Sequence, residues 1–260
     1  MVMPIKNDSV LLAIAEVRFN PILNLDKYVP EIQDELRKKQ HPEFAHIQNH
    51  AFHYKQDAEN KIIPTVHDIY QFSNINISSQ FRLNSQCLTF QTSDYKNFET
   101  YLNSFMKGLL SVNKILQLAY VERIGLRYIE RVVAKKGDRI QRYLGKQEIG
   151  LHEKLGNNAV YSYSEVKHLV DDIQLINRVK VFQNSGIEFP HDIDPGDMVF
   201  PKRLLTFNGP NAIIDTDAFI EKREEMQSTT VWSHLFELHD LITVAFEASV
   251  SDLAKKVKPV

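Results

Sequence analysis

Apolar and polar positions alternate with period two along some stretches of this chain and recur every three or four residues along others. The first pattern marks strands and the second marks helices. Ser9–Phe19, closed by Asn20-Pro21, reads as a mostly buried strand. Asp26 to Lys39 reads as a helix with Tyr28, Val29, Ile32 and Leu36 inward and Arg37, Lys38 and Lys39 at its C-terminal end. Strands are predicted over Phe44–Lys55, His67–Asn76, Ile77–Asn84 and Gln86–Thr92. Asp94 then suits the N-cap of a helix whose inner face is Phe98, Leu102, Phe105, Leu109 and Val112. The order is strand, helix, several strands, long helix.

A loosely similar order follows. Residues 120–133 read as a strand, and a short helix is predicted at Gln147–Leu155. Strands come next over Val160–Val170, Asp172–Phe182 and Arg203–Ile214. A closing helix at Thr230–Val257 carries Trp232, Leu235, His239, Ile242, Phe246 and Leu253 on one stripe. The expected fold is α+β: a mostly antiparallel sheet packed by two long helices. It reads either as two pseudo-symmetric halves, 1–119 and 120–260, or as one continuous domain. The longest irregular stretch, Asn184–Lys202, holds three prolines and two glycines; loops this long are functional or mobile elements, or surface excursions.

The strand at 120–133 carries the strongest chemical signal. Alternation puts Arg123, Arg127 and Arg131 on one face with Val121, Gly125, Ile129 and Val133, and Tyr120, Tyr128, Glu122 and Glu130 on the other. Neighbouring arginines four residues apart are separated by about 13 Å, too far to grip one phosphate from this strand alone. They either track an extended anion or pair with separate carboxylates on neighbouring strands. Lys135, Lys136, Arg139, Arg142 and Lys146 extend the positive charge. Residues 121–146 hold eight basic and three acidic side chains, net +5, in a chain whose total is −2. That asymmetry favours an anionic partner, nucleic acid or an acidic protein.

Asp215 and Asp217 form a second candidate. If the strand persists past them, the two carboxylates share a face about 7 Å apart and could hold a divalent ion for work on a phosphorylated substrate. The competing reading ends the strand and has Asp217 cap a short helix. The acidic loop His191–Asp197 lacks the distal glutamate of a calcium loop. Histidine spacing supports no metal site, and no phosphate-binding glycine loop, dinucleotide fingerprint or nucleophile elbow is present, so no cofactor is expected. Cys87, the one cysteine, reads as a buried structural thiol. A chain near neutrality, with no run of about 20 apolar residues, suggests a soluble cytoplasmic protein with no membrane partner. The functional readings are a non-enzymatic binding or regulatory protein, a metal-dependent enzyme using Asp215 and Asp217, or a module that assembles into a homo-oligomer.

Glu16-Val17-Arg18-Phe19, Arg123-Ile124-Gly125-Leu126-Arg127-Tyr128-Ile129 and Asp215-Thr216-Asp217-Ala218-Phe219 together resemble the landmarks of an uncharacterised, sporadically distributed bacterial and archaeal family of conserved hypothetical proteins. Leu238-His239-Asp240 and Phe246 fit its last helix. Where that family usually follows its central motif with Asn, this chain has Glu130. The resemblance implies no particular activity; patchy distribution suggests accessory genes.

Overall fold

The structure, a computed structural model, describes residues 9–55, 61–149, 160–183, 188–205 and 209–256. Its strands are β1 Val10–Phe19, β2 Glu43–Lys55, β3 Lys61–Ser73, β4 Ser79–Leu83, β5 Cys87–Thr92, β6 Tyr120–Val133, β7 Tyr161–Val170, β8 Ile173–Phe182 and β9 Asn211–Glu225. They form one antiparallel sheet in the order β2-β3-β4-β5-β1-β6-β9-β8-β7. Helices α1 Val29–Arg37, α2 Phe98–Leu116 and α3 Ser228–Ser249 cover one face. The fold is α+β, as the periodicities predict.

The recurring order has a topological counterpart. β1 leads through α1 to the edge strand β2, and β3, β4 and β5 step back until β5 pairs with β1; α2 follows. β6 leads to the opposite edge strand β7, and β8 and β9 step back until β9 pairs with β6; α3 follows. β1 and β6 pair in the middle, so a single sheet runs through both halves. In the second half the described part of the connection holds the 3-10 turns Ile140–Tyr143 and Lys146–Glu148; from residue 150 the helix expected at Gln147–Leu155 lies outside the described residues.

The core follows from the two periods. Leu102, Phe105, Leu109 and Val112 of α2 and Leu235, Leu238 and Ile242 of α3 bury against Val17, Phe72, Leu83, Leu126 and Tyr128 of the sheet. Each fully buried side chain of this size contributes roughly 1.5–3 kcal/mol. Gly108 lets α2 come close to the sheet: a Cβ there would lie 2.2 Å from the Phe81 ring.

Several local expectations are corrected. The α2 N-cap is Asn97, whose Oδ1 accepts the Thr100 N–H at 2.8 Å; Asp94 instead pairs with Lys96. The strand expected at Arg203–Ile214 begins later and runs much further, as β9, with a helical turn at Lys202–Leu205 before it. The short helix capped by Asp217 does not form, because β9 is held on both sides by β6 and β8. The closing helix breaks at Val250, which bridges to Leu144, and resumes for one turn at Asp252–Lys256. A bulge between Val121 and Arg123 shifts the register of β6, so Val121 joins the helix-side core rather than the arginine face.

Candidate functional site

The arginine face of β6 is the one away from the helices, and it is covered. Residues 188–205 cross it, laying Met198, Leu204, Ile193 and Phe200 over Leu11, Ile129 and Ile213. Polar ties hold the crossing down. Val199 donates its N–H to the Ile77 carbonyl at 2.9 Å, Ser93 Oγ donates to the Val199 carbonyl at 2.6 Å, and Gln71 Nε2 donates to Asp197 at 3.0 Å. From residue 188 on, the irregular stretch is thus a third layer packed on the sheet; residues 184–187 of it lie outside the described residues.

Beneath it the strand arginines meet carboxylates. Arg127, on β6 and buried, donates from Nε and Nη2 to the two oxygens of Asp215 at 2.6 and 2.7 Å. Its Nη1 and Nη2 also donate to Asp192 of the crossing segment at 2.8 and 3.0 Å. Burial works against the Arg127 charge, but its hydrogen bonds to Asp215 and Asp192 outweigh this and raise the pKa. Asp192 in turn is held below the usual carboxylate range by the Arg127 hydrogen bonds. Arg178 of β8 closes the far side, donating to Asp215 at 3.1 Å and to Glu165 at 2.7 Å.

Arg123 lies back along its own strand over Gly125, which explains the glycine: a Cβ there would sit 2.8 Å from Arg123 Nη1. In that position the guanidinium donates to Glu16 of β1, stacks 4.2 Å above the Phe219 ring, and comes within 3.8 Å of Asp217. Burial pushes the Asp217 carboxyl up despite this neighbour. Arg131 donates to the Leu204 carbonyl at 2.7 Å, and burial lowers its pKa.

Asp215 and Asp217 therefore do share one face, as the longer-strand reading required, but both face guanidinium groups. Among the described residues no group of three or more His, Cys, Asp or Glu is placed to hold a metal ion. Burial pushes the Cys87 thiol up to about 12, in keeping with a structural role. No described helix is long and apolar enough to cross a membrane.

The basic residues after the strand have different surroundings. Lys135, Lys136, Arg139, Arg142 and Lys146 are all exposed. Their backbone is fixed from below: buried Tyr143 donates its hydroxyl to Asp138 at 2.7 Å and accepts the Lys135 N–H at 3.2 Å. Gly145 donates its N–H to the Ser249 carbonyl, and Ser251 to that of Tyr143, tying the segment to the end of α3. Of the five cations, only Arg142 forms an ion pair among the described residues, with Asp138 at 2.6 Å.

The structure thus divides the eight basic residues of the sequence signal. Half-buried Arg123 and buried Arg127 lie against Glu16, Asp192, Asp215 and Asp217, and buried Arg131 against the Leu204 carbonyl, while five loop cations stay at the surface. Glu16 and Asp192 were visible in the sequence, but nothing local marks them as arginine partners, 107 and 65 residues away along the chain. Arg178 carried no local signal either. No protein-family model matches the chain, and no curated protein matches it.

Proposed function

We propose that this is a non-enzymatic binding or regulatory protein that engages an anionic partner, nucleic acid or an acidic protein surface, through the exposed segment 135–146. One observation carries the reading: five cations stand exposed within twelve residues, on a backbone pinned by Tyr143 and by the end of α3. Cations fixed in this way can meet several phosphates or carboxylates at once without first ordering a loop. The arginines of β6 serve the reading indirectly, by locking the strand from which the segment projects. A catalytic role for Asp215 and Asp217 draws no comparable support, because Arg127 and Arg178 already occupy Asp215 and no third acid or histidine is placed beside the pair among the described residues.

Fluorescence anisotropy with labelled single-stranded and duplex DNA, titrated between about 50 and 200 mM salt, tests the reading. Contact with four or five phosphates predicts a log–log salt slope of about −3 to −4.5, taking roughly 0.7 to 0.9 per phosphate. The triple variant Lys135→Glu, Lys136→Glu, Arg139→Glu should lose at least about tenfold in affinity and flatten the slope. A folded wild-type protein that binds neither nucleic acid nor an immobilised polyglutamate at low salt would sink the proposal.

A further inference from the structure

The edge strand β7 is unusually open. Among the described residues it ends the sheet, pairs only with β8, and keeps an unbroken register with it from Tyr161↔Phe182 to Val170↔Ile173. Proteins blunt such edges with prolines, bulges or several charges. β7 has no proline or bulge, and Tyr161, Tyr163, Val166, Leu169 and Val170 are 42–73% exposed along it. The two-residue turn Asp171-Asp172, with Asp171 at φ 52°, closes on the Val170↔Ile173 pair. That closure directs the N–H and C=O groups of the even-numbered residues toward β8. The groups of Tyr163, Glu165, Lys167 and Leu169 point outward, with no strand partner among the described residues.

We infer that β7 is a dimerisation edge, pairing antiparallel with β7 of a second copy of this chain about a two-fold axis through Val166. The pattern of charge selects both the occupant and the register. With Val166 opposite its own copy, Glu165 faces Lys167 twice, once on each side of the axis, and Tyr163 faces Leu169 twice. Slipping one pair in one direction sets Glu165 against Glu165; slipping in the other sets Lys167 against Lys167. Slips that pair an outward-pointing residue with an inward-pointing one break the hydrogen-bond ladder. Like charges directly opposite destabilise a pair and unlike charges stabilise it, so one symmetric register stands out. Glu165 is prepared for the added cation: Arg178 and Tyr163 both bond to its Oε2, and its side chain remains 47% exposed.

The dimer joins two nine-stranded sheets edge to edge. It also brings the two basic segments toward one axis, because Glu148, just after Lys146, accepts the Ser164 hydroxyl at 2.7 Å beside Val166. A two-strand contact is smaller than the roughly 1,600 Å² of a standard stable interface, so a dissociation constant on the order of micromolar is expected. The pairing stands whether or not the anionic partner does.

Sedimentation velocity across a concentration series, with circular dichroism as the folding control, provides the test. Wild type should pass from monomer to dimer, whereas Lys167→Glu and Glu165→Lys should each remain monomeric. An equimolar mixture of those two variants should dimerise again, because each glutamate then faces a lysine. Should Glu165→Lys fail to fold, Lys167→Pro serves as a second variant. It removes only an outward N–H, leaves the β8 ladder intact, and should be monomeric. Val166→Cys should form an intermolecular disulfide on mild oxidation, while Cys87 stays buried. Wild type that stays monomeric at millimolar concentration overturns the inference, as does Lys167→Glu dimerising like wild type. Failure of two folded charge variants to associate rejects the register.

Discussion

Replacing Glu130 by Gln should change how the protein's stability depends on pH, and the size of the change follows from where the side chain lies. Glu130 is fully buried on the helix side of β6, flanked along its face by Tyr128 and Val132. Its Oε1 accepts the Ser9 hydroxyl at 3.2 Å, and its Oε2 has no hydrogen-bond partner among the described residues. Burial pushes the carboxyl from its ordinary 4.5 up to about 8. The folded state therefore keeps a proton that the unfolded chain releases near 4.5. The stability linked to that proton is fully present below pH 4.5 and is lost as pH rises toward 8, by about 1.4 kcal/mol per unit. His239 has the opposite sign. It stacks on Phe98 at 3.8 Å and shares a hydrogen bond with the Tyr128 hydroxyl, and burial lowers it from 6.5 to about 4. Its contribution is intact above pH 6.5 and is lost as pH falls toward 4. Between about 4.5 and 6.5 the two slopes cancel: the folded state holds one proton, on Glu130, and the unfolded state holds one, on His239. From these two groups, wild type should be flat across that window and lose about 2 kcal/mol between pH 6.5 and 8. In Glu130→Gln the His239 slope is uncovered below 6.5 and the loss above it disappears. Urea unfolding of both proteins from pH 5 to 8 measures the effect, and subtracting the curves cancels every other titrating group. The variant's advantage should grow by about 4 kcal/mol across the three units. A difference that stays constant with pH would refute the reasoning, since it would mean Glu130 is ionised in the folded protein.

The Arg127 cluster makes a second prediction. Arg127→Ala leaves Asp215 buried with only Arg178 beside it and should cost about 3–5 kcal/mol in urea unfolding. The double variant Arg127→Met, Asp215→Leu should recover much of that loss, because an apolar pair avoids desolvating two charges. A loss below about 1 kcal/mol for Arg127→Ala would show that the ion pair carries little weight. Gly125→Ala should cost about 0.5–1 kcal/mol, because the added Cβ pushes the end of the Arg123 side chain off the Phe219 ring. The same substitution in an Arg123→Ala background should cost clearly less, and equal costs in the two backgrounds would exclude the contact.

Periodicity alone was enough for most of the architecture. The apolar strand at 9–19, the strands at 120–133, 160–170 and 172–182 and the apolar stripes of α2 and α3 hold because apolar runs, alternation and helical spacing are local features, which any fold must respect. The arginine row, its spacing and its excess charge were equally local. What misled local reading was competition between comparable signals. Asp94 and Asn97 both suit an N-cap, and the capping hydrogen bond chose Asn97. Asp215 and Asp217 have poor strand propensity, yet they lie in the middle of a 15-residue strand because β6 and β8 pair with it on both sides.

By itself, then, the sequence determined the fold class, the strand–helix–strands–helix order, and the presence of a basic face on β6 with a basic segment after it. Only the tertiary structure decided which of those cations are drawn into the fold and which stay exposed. Arg127 is neutral in effect because the sheet brings Asp215 from 88 residues away and residues 188–205 lay Asp192 across it. Lys135, Lys136 and Arg139 remain exposed because their segment leaves the sheet after β6 and is pinned from below. The physical reason is that charge is written residue by residue, whereas compensation depends on distance through space, and that distance is set by strand order and register.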